Sequence, residues 1–303
     1  MKLQSTPGYK IITDWLLQNG NQPFLFQQQT WQAILRKKSG LVNAPTGFGK
    51  TYSVFLGAVI DFINDHPATY QTKKSNGLQL IWITPLKALA KDIGRAMEEV
   101  IVELDLPWRV GVRNGDTSIS ERQKQKRKMP EVLIITPESL HLLLAQKDYP
   151  AVFESLKIIA VDEWHELLGS KRGVQVELAI SRIVHLPKKD KKQQVMLWGI
   201  SATIGNLTQA KEVLLSPINE TGVIIIAKVH KKIAVHSIYP DEIEKYPWAG
   251  HLGLKLIEKV LPIIAGSRTT LIFINTRGMS ERWYQSLLEV EPELSGVIAL
   301  HHG

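Results

Sequence analysis

Ala44-Pro-Thr-Gly-Phe-Gly-Lys-Thr51 carries residue types that can grip a phosphate. Gly47 and Gly49 let the backbone curl so that consecutive N–H groups point inward, and the positive end of a following helix would reinforce them. Lys50 would set a point charge on the β- and γ-phosphates, and the Thr51 hydroxyl is spaced to ligate magnesium. Thr46 and Phe48 complete the turn. The run departs from the general phosphate-loop pattern at its first position, where Ala44 stands in place of glycine. Taken alone, it also reads as an ordinary glycine-rich turn before a helix. Much further along, Val161-Asp-Glu-Trp-His165 closes an apolar run with two acids. Asp162 could hold magnesium through its water shell. Glu163 could orient and deprotonate a water aimed at a γ-phosphate. An Asp-Glu pair at a strand end is by itself a polar turn; beside a phosphate loop it becomes the other half of a nucleoside-triphosphate site.

These residues need a scaffold, and the chain supplies one. The loop follows the apolar Gly40-Leu-Val-Asn43 and precedes Tyr52-Ser-Val-Phe-Leu-Gly, whose apolar residues can cover a helix face. Further strand-type runs lie at 78–84, 109–112, 132–136, 156–162, 195–201 and 222–227. Near-continuous β-branched strands alternating with helical stretches predict an α/β fold, a parallel sheet covered by helices on both faces. Ligands of such sheets sit beyond the carboxyl ends of the strands, where Thr84, Thr136, Asp162 and Ser201 fall. Residues 1–40 read as mostly helical, with apolar faces at 11–17 and 30–36 and a turn at Asn19-Gly-Asn-Gln-Pro23. After residue 228 the pattern restarts, with strands expected at 233–238, 270–275 and 297–300 and helices at 252–264 and 279–289. Two domains follow, 1–228 and 229–303. The second has about half the residues of a usual α/β domain and is expected to be cut.

Composition narrows the function class. Lys and Arg number 37 against 29 Asp and Glu, and the resulting +8 attracts polyanions, nucleic acid foremost. The absence of cysteine excludes disulfides and thiolate metal sites. No apolar run approaches the ~20 residues of a membrane span, and the first residues lack the apolar core of a signal peptide. A cytoplasmic protein with no membrane partner is expected. Two charge runs stand out, Glu121-Arg-Gln-Lys-Gln-Lys-Arg-Lys128 and Lys188-Lys-Asp-Lys-Lys192. The second reads as a solvated connection, while the first lies near other segments suited to nucleic acid.

Together, the loop at 44–51 and Asp162-Glu-Trp-His165 resemble the superfamily 2 helicases, and within them the Lhr-like group of ligase-associated DEXH-box helicases. Supporting segments follow in that family's order: Thr84-Pro-Leu-Lys-Ala-Leu-Ala90, Gly115-Asp-Thr117, Thr136-Pro-Glu-Ser139, Ser201-Ala-Thr203, Phe273-Ile-Asn-Thr-Arg277 and His301-His-Gly303. Asn43-Ala-Pro-Thr46, Trp164 and Trp198-Gly-Ile-Ser-Ala-Thr-Ile-Gly-Asn206 point to the ligase-associated branch. The resemblance runs from Phe24 to the last residue.

It implies a RecA-like P-loop domain followed by an incomplete second RecA-like domain, with ATP and Mg2+ as cofactors. Gln27 would read adenine, although Gln28 and Gln29 leave that assignment open by one residue. Phe26 and Trp31 would lie near the base or in the core. His165 would touch Ser201, Ala202 and Thr203 and so couple the nucleotide site to strand movement. Thr84, Lys87, Gly115, Thr117, Thr136 and Glu138 would line a track for single-stranded DNA or an RNA/DNA hybrid; Thr84 and Thr136 also read as strand-terminating caps. The implied setting is DNA repair, beside an ATP-dependent DNA ligase and a nuclease. In this family, arginine fingers come from motifs beyond His301-His-Gly303. The 303-residue chain is therefore expected to bind ATP, hydrolyse it weakly and not unwind. A non-catalytic module binding ATP and nucleic acid is the other reading, and a small-molecule P-loop kinase a distant third.

Overall fold

A computed structural model of the chain describes residues 2–186, 194–202, 204–228, 233–240 and 253–301. Thr203, the 188–192 charge run and His302-Gly303 lie outside the described residues. Contacts divide the chain into two compact units, Met1–His230 and Lys231–Gly303.

The first unit opens with α1 (Pro7–Gln18) and α2 (Leu25–Leu35). Thr6 caps α1 by accepting the Tyr9 N–H, and Pro7 at the first helical position loses nothing by lacking a donor. There follow β1 (Gly40–Asn43), α3 (Lys50–Asp65), β2 (Leu80–Ile83), α4 (Lys87–Glu103), β3 (Val110–Arg113) and α5 (Ile119–Arg127). Next come β4 (Val132–Ile135), α6 (Pro137–Leu144), α7 (Tyr149–Val152), β5 (Ile158–Val161), α8 (Trp164–Leu167) and α9 (Lys171–Val184). The unit ends with β6 (Met196–Ser201), α10 (Leu207–Leu215) and β7 (Val223–Ile226).

The seven strands form one sheet in the order β3-β4-β2-β5-β6-β1-β7, with every pairing parallel. This is the expected α/β architecture, and the reason shows in the side chains. Successive residues of a strand face opposite ways. In β2, Leu80 and Trp82 enter one core while Ile81 and Ile83 enter the other. The first core is roofed by α1 to α4 and contains Trp31, Phe55, Ile60 and Met97. The second lies under α6, α8, α9 and α10 and contains Leu140, Trp164, Ile180 and Leu214. A strand that must be apolar on both faces reads as a continuous apolar run, which is how it was visible in the sequence.

Because all strands are parallel, their carboxyl ends share one edge of the sheet. Strand order then sorts what the sequence interleaves. Segments following β3, β4 and β2 occupy one half of that edge; those following β5, β6 and β1 occupy the other.

The second unit contains α11 (Ile257–Ala265) and α12 (Arg277–Val290), the latter capped by Thr276 accepting the Met279 N–H. The segments 233–238, 270–275 and 297–300, expected as strands, form none among the described residues. Leu271, Phe273, Val235 and Val297 are instead exposed. Strand propensity is fitness for a paired, half-buried surface, and without a neighbouring ladder these apolar segments have nothing to pair with.

Candidate functional site

The phosphate loop links β1 to α3. Gly47 has φ of 88° and Gly49 φ of 69°, conformations that side chains other than glycine enter only at a cost. Gly49 occupies the cap position of α3, and no side chain caps this helix. Its first N–H groups are therefore available to an anion rather than satisfied within the chain. Thr46 and Gly47 are exposed; Phe48 and Thr51 are half-buried.

Gln27 reaches this loop from α2. Its Nε2 donates to the Gly49 carbonyl at 3.0 Å, while its Oε1 accepts the Phe24 N–H at 2.9 Å. Gln28 turns away, its Nε2 donating to Pro23 O at 3.4 Å. Phe26 and Trp31 are core residues. Phe24 is different: 41% exposed, it stacks on Phe26 and meets Phe48 edge-on, each with centroids 5.8 Å apart. Nothing in the letters around it singled out this ring, which has the right type and exposure to stack on a base.

Lys50 is only 8% exposed, and its Nζ makes no hydrogen bond. Its ion-pair partner is Glu163 Oε1 at 3.6 Å. The loop and the acid pair, distant in sequence, thus meet across the end of the sheet. Asp162 is buried; its Oδ2 accepts the Trp82 indole N–H at 3.2 Å and its Oδ1 accepts the Glu163 N–H at 2.9 Å. Burial first, and the charge of Glu163 second, push the Asp162 pKa up to about 6, against smaller opposing pulls from Trp82, the Glu163 N–H and Lys50. A carboxylate held dry in this way gains from any cation that arrives. Trp82 is a second residue the sequence reading passed over. Its signal was a tryptophan inside a buried strand, whose N–H must find an acceptor.

Glu163 has φ of 46°, a left-handed backbone that costs a side-chain-bearing residue about 1–2 kcal/mol. That strain turns its carboxylate toward both Lys50 and His165, whose Nδ1 lies 3.4 Å from Glu163 Oε2. His165 Nδ1 also meets Ser201 Oγ at 3.0 Å. Ala44 N donates to Ser201 O at 3.0 Å, and Asn43 Nδ2 donates to Ala202 O at 2.7 Å. The contacts close a circuit: loop, Lys50, Glu163, His165, the 201–202 segment, and back through Asn43 to the strand that carries the loop. Trp164 is buried, its indole N–H donating to Ala210 O.

The residues read as a nucleic-acid track fall on the other half of the edge. Thr84 is buried, and its hydroxyl has no partner. Lys87 and Gly115 are exposed, and Lys87 Nζ pairs with Asp116 Oδ1 at 2.9 Å. Thr117 Oγ1 accepts the Asn114 N–H at 2.9 Å and so shapes the Gly115 turn. Thr136 occupies the cap position of α6, with its hydroxyl donating to Ser139 Oγ at 3.2 Å. Glu138 is gripped by two nitrogens of Arg172 at 2.7 and 3.2 Å, a fork the sequence gave no reason to expect. Partial burial pushes the Glu138 pKa up, but Arg172, its own backbone N–H and the Thr136 hydroxyl together hold it below its ordinary value.

The DEAD/DEAH box helicase family profile matches residues 24–211, more than half of the chain. The chain belongs to this family. It is 34% identical over 285 residues to the ATP-dependent helicase Lhr-Core protein 2 of Thermococcus barophilus, covering 89% of this chain and 32% of that protein. Similarity to the Lhr helicase/uracil glycosylase of Escherichia coli is 30% over 302 residues, 91% of this chain and 19% of that one. Among solved structures, the Mycobacterium smegmatis helicase Lhr bound to ssDNA and AMP-PNP superposes with a TM-score of 0.76 at 27% identity, covering 99% of this chain and 38% of that one. The chain thus spans between 19% and 38% of the length of these relatives. As a DEAD/DEAH box domain it is of a kind that uses ATP, and the RecA-like fold expected from the sequence is the one observed. Among the described residues, no helix is long and apolar enough to cross a membrane, and no cluster of three or more His, Cys, Asp or Glu could hold a metal.

Proposed function

We propose that this chain is the ATP-binding part of an Lhr-like DNA helicase that couples ATP hydrolysis to movement along a single strand. The observation that carries the proposal is the contact of Lys50 with Glu163 beside the buried Asp162. ATP supplies the phosphoanhydride whose cleavage drives movement, and magnesium draws charge from its phosphates. The residues present fit both. The uncapped start of α3 offers N–H groups to phosphate oxygens, and Lys50 Nζ, which makes no hydrogen bond, adds the charge. Asp162 and Thr51 would hold Mg2+; a site without a protein cage suits an ion that keeps most of its water. Gln27, already tied to Gly49 O, would report on adenine at one end of the loop, with Phe24 stacking beside it. Glu163 would take the proton of the attacking water. His165 stands between that acid and Ser201 and would carry the change in charge to the 201–203 segment.

Thr84, Lys87, Gly115, Thr117, Thr136 and Glu138 would follow the nucleic-acid backbone, which gives grip without reading sequence. The +8 charge of the chain supports that role. We take 229–303 as belonging to a second RecA-like lobe, in keeping with its capped helix and strand-type apolar segments. A DNA-repair setting, with an ATP-dependent DNA ligase and a nuclease as partners in the cytoplasm, rests on family resemblance. The deciding experiment is binding of AMP-PNP with and without magnesium, compared between wild type and Lys50→Ala. Retained affinity in the variant would sink the site. In a longer protein that carries the remaining motifs, ATP turnover that does not respond to single-stranded DNA would sink the motor reading and favour a small-molecule kinase.

A further inference from the structure

Arg113 ends β3 and is only 4% exposed, yet its charge has no counterpart. Its Nε makes no hydrogen bond, and among the described residues no carboxylate forms an ion pair with it. The neighbour whose charge it feels is another cation. Burial first, and Arg122 second, hold its pKa below the usual arginine value. Arg122, half-buried on α5, donates Nη2 to Asn114 O at 3.0 Å and also leaves its Nε unpartnered. Buried charges are ordinarily paired or ligating, because leaving one uncompensated is strongly destabilising. Two guanidiniums with unmet donors, one of them tied to the carbonyl of the residue that follows Arg113, therefore ask for an anion, and their planar forks match phosphate oxygens.

The sheet says which phosphate. Arg113 lies in register with Ile135 of β4, and its carbonyl accepts the Thr136 N–H at 3.3 Å. The next residues along the chain form the Gly115–Thr117 turn. Arg113 thus stands at the strand ends between two of the segments assigned above to the nucleic-acid track, on the opposite half of the edge from Lys50. We propose that Arg113 and Arg122 form one phosphate-binding site for the backbone of a single strand, a contact that draws Arg122 out of the 121–128 charge run and adds Arg113, which nothing in the sequence marked. This rests on the nucleic-acid reading given above.

The test titrates the full chain and two variants, Arg113→Met and Arg113→Lys, with labelled oligo(dT) between about 50 and 200 mM salt. Melting temperatures without ligand are measured in parallel. Arg113→Met, which keeps the volume of the stem, is expected to weaken binding about tenfold and to lower the slope of log affinity against log salt by about 0.7, the share of one single-strand phosphate. It should also melt higher than wild type, because an uncompensated buried charge has gone. Arg113→Lys should keep the slope and recover part of the affinity. A lower melting temperature with an unchanged slope would make Arg113 a structural residue and overturn the site. Competition with excess inorganic phosphate separates the sources of the anion. Phosphate that binds wild type through Arg113 yet leaves oligo(dT) affinity unchanged would assign the pair to a free anion instead and overturn the backbone contact. Wild type that fails to bind oligo(dT) removes the whole nucleic-acid reading. Wild type that binds, with Arg113→Met identical to it, removes this site alone.

Discussion

The two halves of the sheet's carboxyl edge are built on different electrostatic terms. On the β5-β6-β1 half, charge is buried and only loosely compensated. Lys50 has no hydrogen bond, Asp162 has its pKa pushed up to about 6, and Glu163 is held in a strained backbone. On the β3-β4-β2 half, apart from Arg113 and Arg122, the charges named above are largely exposed and paired. Lys87 meets Asp116, and Arg172 forks onto Glu138. In a low-dielectric setting each charge matters greatly and waits for its ligand; in water an ion pair is weak and exchanges readily. The first arrangement suits chemistry on a triphosphate. The second suits a grip that must be made and released.

If that contrast holds, the largest effects belong to the buried half. In a longer protein that carries the remaining motifs, Glu163→Gln is expected to cut ATP turnover about 10²–10⁴-fold, the usual share of a general base. AMP-PNP should still bind, because the Lys50 contact it loses is a long one at 3.6 Å. Turnover equal to wild type in a coupled ATPase assay would remove Glu163 as the base. Next comes Asp162, whose pKa moves from 3.8 to about 6 on folding. Because the folded value is the higher one, the ionised form opposes folding at neutral pH, and the penalty fades as pH falls through about 6. A shift of that size is worth roughly 3 kcal/mol. Asp162→Asn should therefore be more stable than wild type by up to that amount at pH 7.5 in the presence of a chelator. The gap should close by pH 4. A gap independent of pH in urea melts would show that burial does not press on this carboxylate.

A smaller effect is expected at the loop. Gly49→Ala must carry a side chain at φ of 69° and set a Cβ 2.9 Å from Gln27 Nε2. The backbone strain alone should cost about 1–2 kcal/mol, read as a lower melting temperature together with weaker nucleotide binding. Full stability and full affinity would mean that the loop does not need its left-handed turn.

How far the sequence reached follows the same division. The buried half was legible because its rules are local. A glycine-lysine-threonine turn between strand and helix, and acids closing an apolar run, each announce themselves within a few residues. The sheet was legible because strands apolar on both faces read as unbroken runs. Trp82, Phe24 and Arg172 were not, since each acts through a neighbour that only strand order or helix packing brings near. Trp82 lies far along the chain from Asp162, and the Arg172–Glu138 fork joins two helices. The segment at 270–275 misled for the opposite reason. Its residues favour a strand, but a strand needs a partner, and Phe273 is left exposed without one.

The smallest predicted effect tests the exposed half. Lys87 and Asp116 are both more than half exposed, so their contact at 2.9 Å contributes only about 0–1 kcal/mol. Asp116→Asn should barely move the melting temperature. It frees Lys87, however, and removes a negative charge from the turn that carries Gly115, which lies 3.1 Å from Lys87 Nζ when given a Cβ. A strand phosphate approaching this turn would meet less repulsion and an unengaged ammonium. Affinity for oligo(dT) is therefore expected to rise a few-fold at low salt, with the gain shrinking as ionic strength screens it. Weaker binding at every salt concentration would mean that Asp116 holds Lys87 in its working position rather than competing with the strand. The two halves would then be less different than their exposure suggests.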